Sequence, residues 1–277
     1  MNVSTQFDFN NTENKVHKTY DELLLPRMFI PLAETILEEA DIKQDEHILD
    51  LACGPGTVAR LAANKVGLGG RVLALDISSA MLEVAKDKPV TANSAHIKYE
   101  ESPASSLNVP DNSFDKTICQ QGLQFFPDRK ESLKEMVRVT KPGGKINIAV
   151  WGPIDSCTIF HKLYLAMAES IPGEIAELLK APFSLHDAQE IKELMHSVGL
   201  KNYHIKNVTL PLVFENGIEQ AIQVLEATPF YPQIKELNKA VQKELSIKLH
   251  EKLEPLLLGE KVQGQMISRL VSIEVNC

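Results

Sequence analysis

Acidic and glycine residues in one short loop are where this sequence most clearly points to chemistry. Asp50, Gly54 and Gly56 belong to the run Asp-Leu-Ala-Cys-Gly-Pro-Gly-Thr, which lies between an apolar run and a helical pattern. Glycines let the backbone come close to a ligand, and the start of the following helix favours negative charge. A tight strand-to-helix turn would also explain this loop on its own.

A second acidic residue, Asp76, ends the next apolar run, twenty positions after Gly56. An acid at such a strand end accepts hydrogen bonds from ribose hydroxyls, although capping or solvent exposure would explain it too. Together the two features predict a nucleoside ligand. The run from Gly54 to Ala59 also satisfies the loose NAD pattern G-x-G-x-x-A, so NAD stays open. Asp50 favours a ligand with an ammonium group, which S-adenosylmethionine carries and NAD lacks.

Strand and helix patterns alternate in the part of the chain that contains these residues. Between consecutive apolar runs lie segments with helical spacing, as expected for a parallel sheet covered by helices on both faces. The predicted strands are 47–51, 72–75, 95–99, 114–119 and 145–151, with later strands at 203–214 and 266–275. Further helices are predicted at 20–40, 130–140, 155–179, 187–198 and within 216–258.

Composition narrows the class of protein. The 277 residues carry a formal net charge of -8, so the broad basic surface that binds nucleic acid is not expected. The four cysteines form no CxxC pair, which disfavours a zinc site or a disulfide scaffold. The polar first residues do not resemble a signal peptide, and no apolar run is long enough to span a membrane. We expect a soluble, cytoplasmic protein.

Several motifs in order along the chain resemble the class I, Rossmann-like S-adenosylmethionine-dependent methyltransferases, in particular the small-molecule branch that methylates quinones, sterols and amines. The resemblance covers about 47–151 and is only loose beyond it. The matching runs are His47–Thr57, Asp76–Leu82, Pro110–Asp115, Gln120–Asp128 and Arg138–Gly144. It implies methyl transfer from S-adenosylmethionine to a small-molecule acceptor.

The resemblance also implies roles for individual residues along the cofactor. Asp50, Ala52, Gly54 and Gly56 would surround the methionine portion of S-adenosylmethionine. Asp76 would hold the ribose hydroxyls.

Adenine recognition departs from the family pattern. Ile77 and Met81 would pack against the ring. The family usually has Gly-Asp-Ala after the third strand, whereas this chain has Ser102, Pro103 and Ala104. The acid that would bind the adenine amino group is therefore missing, although the Ala104 N–H can still reach the ring.

Three further residues would complete the cofactor site. Gln120, at the end of the fourth strand, would lie near the sulfonium, with Gln121 close by. Tyr20 matches an N-terminal tyrosine that often folds over the cofactor in this branch, although ordinary core packing explains it equally well.

The implied fold is α/β, with a doubly wound, mostly parallel seven-stranded sheet and an antiparallel last strand. Excess sequence at about 152–185 and 216–262 leaves the carboxyl edge of the sheet, where ligands bind, and predicts a helical cap over the methyl group, although peripheral helices that cover the sheet would explain it too. The organisation is then an N-terminal helical segment (1–45), a cofactor-binding core (46–151) and the remainder of the sheet with the cap (152–277).

No catalytic residue is assigned, because methyl transfer depends mainly on alignment and exclusion of water. His161, Tyr164 and Tyr231 in the cap are candidates for a base, although such residues more often serve in packing. Cys119 is expected to be structural, and no metal is predicted. An NAD-dependent oxidoreductase and a non-catalytic binding protein remain as alternatives.

Overall fold

The computed structural model describes residues 19–171 and 173–276. The chain divides into two compact units. Of the described residues, the core unit comprises 30–150, 185–208 and 268–276; the insertion unit comprises 19–29, 151–171, 173–184 and 209–267. In the part of the chain described, no helix is long and apolar enough to cross a membrane.

The sheet has the predicted α/β organisation. Its strands are β1 (His47–Leu51), β2 (Arg71–Asp76), β3 (His96–Glu101), β4 (Phe114–Gln120), β5 (Thr140–Trp151), β6 (Tyr203–Phe214), β7 (Leu257–Leu258) and β8 (Lys261–Glu274). Their order is β3-β2-β1-β4-β5-β8-β6, with β7 paired to β8 alone. Strands β1 to β5 pair in parallel and β8 is antiparallel to its neighbours, so the predicted fold class is confirmed.

One helix of the core unit precedes β1, and the others follow β1, β2 and β4 or precede β6. These helices are α2 (Ile30–Ala40), α3 (Thr57–Val66), α4 (Ser79–Asp87), α5 (Arg129–Val139) and α8 (Ala188–Ser197). Helix α2 packs on α3, and α5 packs on α8. The central strands are buried almost without interruption, as expected for a parallel sheet covered by helices.

The insertion unit is mainly helical. Its helices are α1 (Tyr20–Phe29), α6 (Thr158–Ser170), α7 (Ile175–Leu178), α9 (Gly217–Ile222), α10 (Tyr231–Glu236) and α11 (Lys239–Leu253). Helix α6 packs against α11, whose buried residues Leu245, Leu249 and Leu253 recur every four positions. The two long insertions therefore fold against each other.

Three local differences from the sequence-based expectation have physical causes. Helix α1 has π geometry, which accommodates Pro26 within it. Strand β5 begins at Thr140 rather than 145, and its register with β4 shifts near Gly143, whose φ is 77°. Strand β8 begins at Lys261 because a short hairpin through Gly259 pairs it with β7.

Candidate cofactor-binding site

The sheet order defines where a ligand would bind. Strand β1 leads through α3 to β2 on one side, whereas β4 lies on the other side of β1. Between β1 and β4 the order of the sheet therefore reverses. Ligands of open α/β sheets bind at the carboxyl ends of the strands at such a point. The ends of β1 and β4 carry Asp50 and Gln120, and the adjacent end of β2 carries Asp76.

Backbone N–H groups fix both carboxylate oxygens of Asp76. One carboxylate oxygen accepts a hydrogen bond from the N–H of Gly54 at 2.7 Å, and the other accepts one from the N–H of Ser78 at 2.9 Å. Burial raises the pKa of this carboxyl, while the backbone hydrogen bonds oppose the rise. Each carboxylate oxygen has more than one acceptor position, so the pair of ribose hydroxyls can still be bound.

Asp50 is more deeply buried than Asp76. Its side chain is 1% exposed, and one oxygen accepts a hydrogen bond from the N–H of Ala59 in α3 at 2.8 Å. Burial raises the pKa of this carboxyl to about 7, and the nearby charge of Asp76 adds to the rise. Asp50 therefore anchors the first turn of α3, and its contact with a bound cation stays a prediction.

The loop after β1 has an unusual backbone. Ala52, Gly54 and Gly56 all have positive φ, at 60°, 50° and 73°. A Cβ added to Gly54 would meet nothing within 4 Å, so this glycine leaves space for a ligand. A Cβ on Gly56 would instead lie 2.7 Å from the hydroxyl of Tyr99. The two glycines thus differ in their surroundings, with open space at Gly54 and close packing at Gly56.

The turn after β2 presents an apolar surface where adenine is expected. Ile77 is 58% exposed, which is unusual for isoleucine, and Met81 is partly buried in α4. The hydroxyl of Ser78 accepts a hydrogen bond from the Met81 N–H at 3.3 Å and caps that helix.

The segment after β3 is joined to the end of β2. The N–H of Ser102 donates to the carbonyl oxygen of Asp76 at 2.9 Å. Pro103 is exposed, whereas Ala104 is partly buried. The backbone after β3 is therefore held beside the residue expected to bind ribose.

Amide side chains occupy the end of β4. Gln120 is partly buried, and Gln121 is buried with a φ of 58°. The side-chain oxygen of Gln121 accepts a hydrogen bond from the amide of Gln124 at 2.9 Å. Its nitrogen donates to the hydroxyl of Ser268 at 3.4 Å. A non-glycine residue in this conformation is uncommon and concentrates at functional sites.

The residues predicted from the helical regions belong to the insertion unit. The ring of Tyr20 lies 5.0 Å from that of Phe29, centroid to centroid. Among the candidate bases, Tyr164 donates its hydroxyl to Glu177 at 2.8 Å and Tyr231 donates to Glu226 at 3.2 Å, whereas His161 is partly buried in α6. The roles of Tyr20 and of these bases stay predictions.

Cys119 lies inside the core cluster of the sheet. Burial raises the pKa of its thiol to about 12, so the thiol is neutral at physiological pH and unsuited to attack as a thiolate.

Four residues of the site were missed by sequence reasoning. Tyr99 packs against Gly56, and a Cβ on Gly122 would lie 2.5 Å from that of Ala52. Gln124 and Ser268 bind the amide of Gln121. Gly122 and Gln124 lie within a matching motif and could have been found there. Ser268 is distant in sequence and carries no local signal.

These residues fit S-adenosylmethionine by their chemistry. Two carboxylates lie at adjacent strand ends, Gly54 leaves room for the ligand, and an exposed isoleucine follows Asp76. The cofactor would supply an activated methyl group on a sulfonium.

Comparison with known proteins identifies the family. Residues 49–148 match the family model described as a methyltransferase domain. The chain is 30% identical over 188 residues to the ubiquinone/menaquinone biosynthesis C-methyltransferase UbiE of Francisella tularensis subsp. novicida, covering 62% of this chain and 74% of the relative. It is 28% identical over 222 residues to the demethylmenaquinone methyltransferase of Staphylococcus carnosus, covering 76% of this chain and 86% of that protein.

The fold is shared with solved structures. The YcgJ protein of Bacillus subtilis superposes with a TM-score of 0.56 at 18% identity, covering 88% of this chain and 98% of that one. The relatives favour a methyl donor over NAD, and the chain is an enzyme that transfers a methyl group from S-adenosylmethionine to a small-molecule acceptor. It belongs to the class I, Rossmann-like S-adenosylmethionine-dependent methyltransferases.

Proposed function

We propose that this enzyme methylates a ring carbon of a hydroquinone-type acceptor, with the cofactor held at the carboxyl edge of β1, β2 and β4. The arrangement of Asp76 carries the cofactor assignment, because both of its oxygens are fixed by the backbone while Gly54 leaves open space beside them. The roles proposed for the other residues follow from their positions along this edge.

The acceptor class is supported by the names of the relatives. Both the Francisella and the Staphylococcus proteins are named for methylation in quinone biosynthesis, and the first is named as a C-methyltransferase. A hydroquinone carbon is nucleophilic because the ring oxygens donate electron density to it. Such an acceptor requires alignment with the methyl group and exclusion of water more than it requires a protein base.

The helices of the insertions are proposed to complete the acceptor site. Helices α6 and α11, one from each long insertion, pack together and supply an apolar structure suited to excluding water. We also propose that Tyr20 closes over the cofactor and that the enzyme works in the cytoplasm. Cell fractionation with antibody detection tests the location.

The test of the acceptor uses reduced 1,4-naphthohydroquinone and methyl-labelled S-adenosylmethionine under anaerobic conditions. We expect 2-methyl-1,4-naphthohydroquinone and S-adenosylhomocysteine. Carbon-13 NMR separates a methyl group on carbon from a methyl ether. Asp76→Ala serves as the cofactor-binding control and should give little product. An O-methyl ether as the main product, or no labelled product from the wild type, contradicts the proposal.

A further inference from the structure

The end of β4 contains a small buried network of side-chain amides that the cofactor does not explain. We name Gln121, Gln124 and Ser268 the amide cluster. All three side chains are buried, with Gln121 the most exposed at 7%. A buried network of this kind rigidifies its members when their hydrogen bonds are satisfied.

The hydrogen bonds of the amide cluster fix the orientation of the Gln121 amide. Its oxygen accepts from the Gln124 amide at 2.9 Å, and its nitrogen donates to the Ser268 hydroxyl at 3.4 Å. Gln124 is itself held, because Arg129 donates to its backbone carbonyl at 2.8 Å. An amide nitrogen carries two hydrogens, and among the described residues only the Ser268 hydroxyl accepts a hydrogen bond from the Gln121 nitrogen. The second hydrogen is thus available to a ligand.

The backbone of Gln121 lies directly after β4, at the edge of the sheet where the ligand is proposed to bind. Its N–H donates to the carbonyl oxygen of Ala149 at 2.8 Å, and its φ is 58°. The neighbouring Gly122 approaches Ala52 so closely that a Cβ would lie 2.5 Å from the alanine Cβ. The loops after β1 and β4 therefore meet here, where the order of the sheet reverses.

We propose that the Gln121 amide donates a hydrogen bond to an ionised ring oxygen of the acceptor, and that Gln124 and Ser268 are positioning residues for this amide. A donor hydrogen is electrostatically unfavourable beside a sulfonium cation and favourable beside an oxygen anion. The inference rests on the proposed function and narrows it to acceptors in which the methylated carbon is conjugated to an oxygen that can ionise.

Methyl transfer to the acceptor carbon requires no reagent other than the acceptor, the methyl donor and water. The acceptor oxygen loses its proton to water, and the electron pair of the conjugated carbon forms the new bond to the methyl carbon. The bond between that methyl carbon and sulfur breaks, and its electron pair stays on sulfur. The negative acceptor and the positive sulfonium become two neutral products. The ring carbon then loses its hydrogen as a proton to water, which restores the aromatic ring as a phenolate.

The experiment measures kcat against pH with 1,4-naphthohydroquinone for the wild type, Gln121→Leu and Gln121→Glu. Because kcat reports ionisation in the complex, a donor to the acceptor oxygen lowers the pH at which the acidic limb begins. We expect Gln121→Leu to lower kcat at neutral pH by roughly ten- to a hundredfold, the effect of one hydrogen bond to a charged group, and to move the limb to higher pH. Gln121→Glu should move it further, because its carboxylate repels the anion.

Two further variants test whether Gln124 and Ser268 position the Gln121 amide, and calorimetry tests whether each variant is folded. Ser268→Ala and Gln124→Leu should move the same limb in the same direction by less, which a purely structural role would not do. Calorimetry with S-adenosylhomocysteine verifies that each variant is folded; where Gln121→Leu does not bind it, Ser268→Ala carries the test. The matched control is Gln189→Leu on the exposed surface of α8, whose profile should equal that of the wild type.

The experiment distinguishes failure of the proposed function from failure of the role inferred for the Gln121 amide. A wild-type enzyme that leaves the ring carbon of the probe unmethylated overturns the proposed function and with it this inference. Ring methylation by the wild type, with unshifted acidic limbs in Gln121→Leu and Gln121→Glu, overturns the role of the amide and leaves the proposed function standing.

Discussion

The loop after β1 and the helix α11 show two ways of building a site. In the loop, single backbone positions matter: Ala52, Gly54 and Gly56 have positive φ, and two acids are held by N–H groups. In α11 the buried leucines recur along one face and pack against α6. The matching family model ends at residue 148, within the core unit. The cofactor site that we propose is thus specified by short motifs, whereas the acceptor site that we propose rests on packed surfaces that carry no motif.

The largest effect is expected from the helical region. Leu249→Ala removes a side chain that is 3% exposed in α11, and should lower the free energy of unfolding by about 2–5 kcal/mol. Urea denaturation measures the change. Ile247→Ala on the same helix is the matched control, because Ile247 is 57% exposed and its loss should change stability by no more than about 0.5 kcal/mol. Equal losses of stability at both positions would mean that α11 does not bury the face that carries Leu249.

Within the core unit, substitution of Gly54 and of Gly56 should have different effects on stability and on cofactor affinity. Gly56→Ala should lower the free energy of unfolding by about 2–4 kcal/mol, because a left-handed alanine is strained and its Cβ would overlap Tyr99. Gly54→Ala carries only the strain, about 1–2 kcal/mol, but places its methyl group where the cofactor is proposed to lie. Urea denaturation and calorimetry with S-adenosylhomocysteine separate these effects. Equal losses of stability, with unchanged affinity, would remove the distinction.

The parts of the fold that sequence predicts are those with local signals. Apolar patterning predicts β1 and β6 at the residues where the structure has them, whereas the antiparallel direction of β8 is implied by the family resemblance. The start of β8 was misplaced because a hairpin at Gly259 decides it. The amide cluster could not be assembled from sequence, since Ser268 meets Gln121 only through tertiary pairing of distant strands. Asp50 was predicted from its spacing, but its near-complete burial depends on the surrounding fold.

Asp76 provides the next test of the backbone-fixed loop. Asp76→Ala should weaken cofactor binding by about 1.5–3 kcal/mol, the range for a hydrogen bond to a charged group. The loss includes disorder of the loop, because Gly54 and Ser78 lose their acceptor. Calorimetry with S-adenosylhomocysteine measures it, and Asp87→Ala at the exposed end of α4 is the control. An affinity equal to that of the wild type would contradict the assignment of the ribose site.

The smallest effect is expected in the pH dependence of cofactor affinity, which we assign to Asp50. Burial, reinforced by Asp76, raises the pKa of Asp50 to about 7, while the Ala59 N–H and Arg60 oppose the rise. A cationic cofactor favours the ionised carboxylate, so affinity for S-adenosylmethionine should fall as pH decreases below about 7, by up to about tenfold per pH unit. Calorimetry between about pH 5.5 and 8.5 measures this slope. Asp50→Asn, which keeps an acceptor for Ala59, should bind more weakly at high pH and show a shallower slope.

The folding stability of the free enzyme should change with pH in the direction opposite to cofactor affinity, which gives an independent test of Asp50. Its pKa in the folded state lies above its ordinary value of 3.8, so the folded state binds more protons between these two pH values. The contribution of Asp50 to stability is therefore greatest at low pH and is lost as pH rises from about 4 to about 7. Asp50→Asn lacks this loss, and its advantage over the wild type in urea denaturation should grow across that interval. A constant difference between the two proteins across that interval would mean that Asp50 titrates normally and is fully ionised at neutral pH, and a fall in cofactor affinity below about pH 7 could then not be assigned to Asp50.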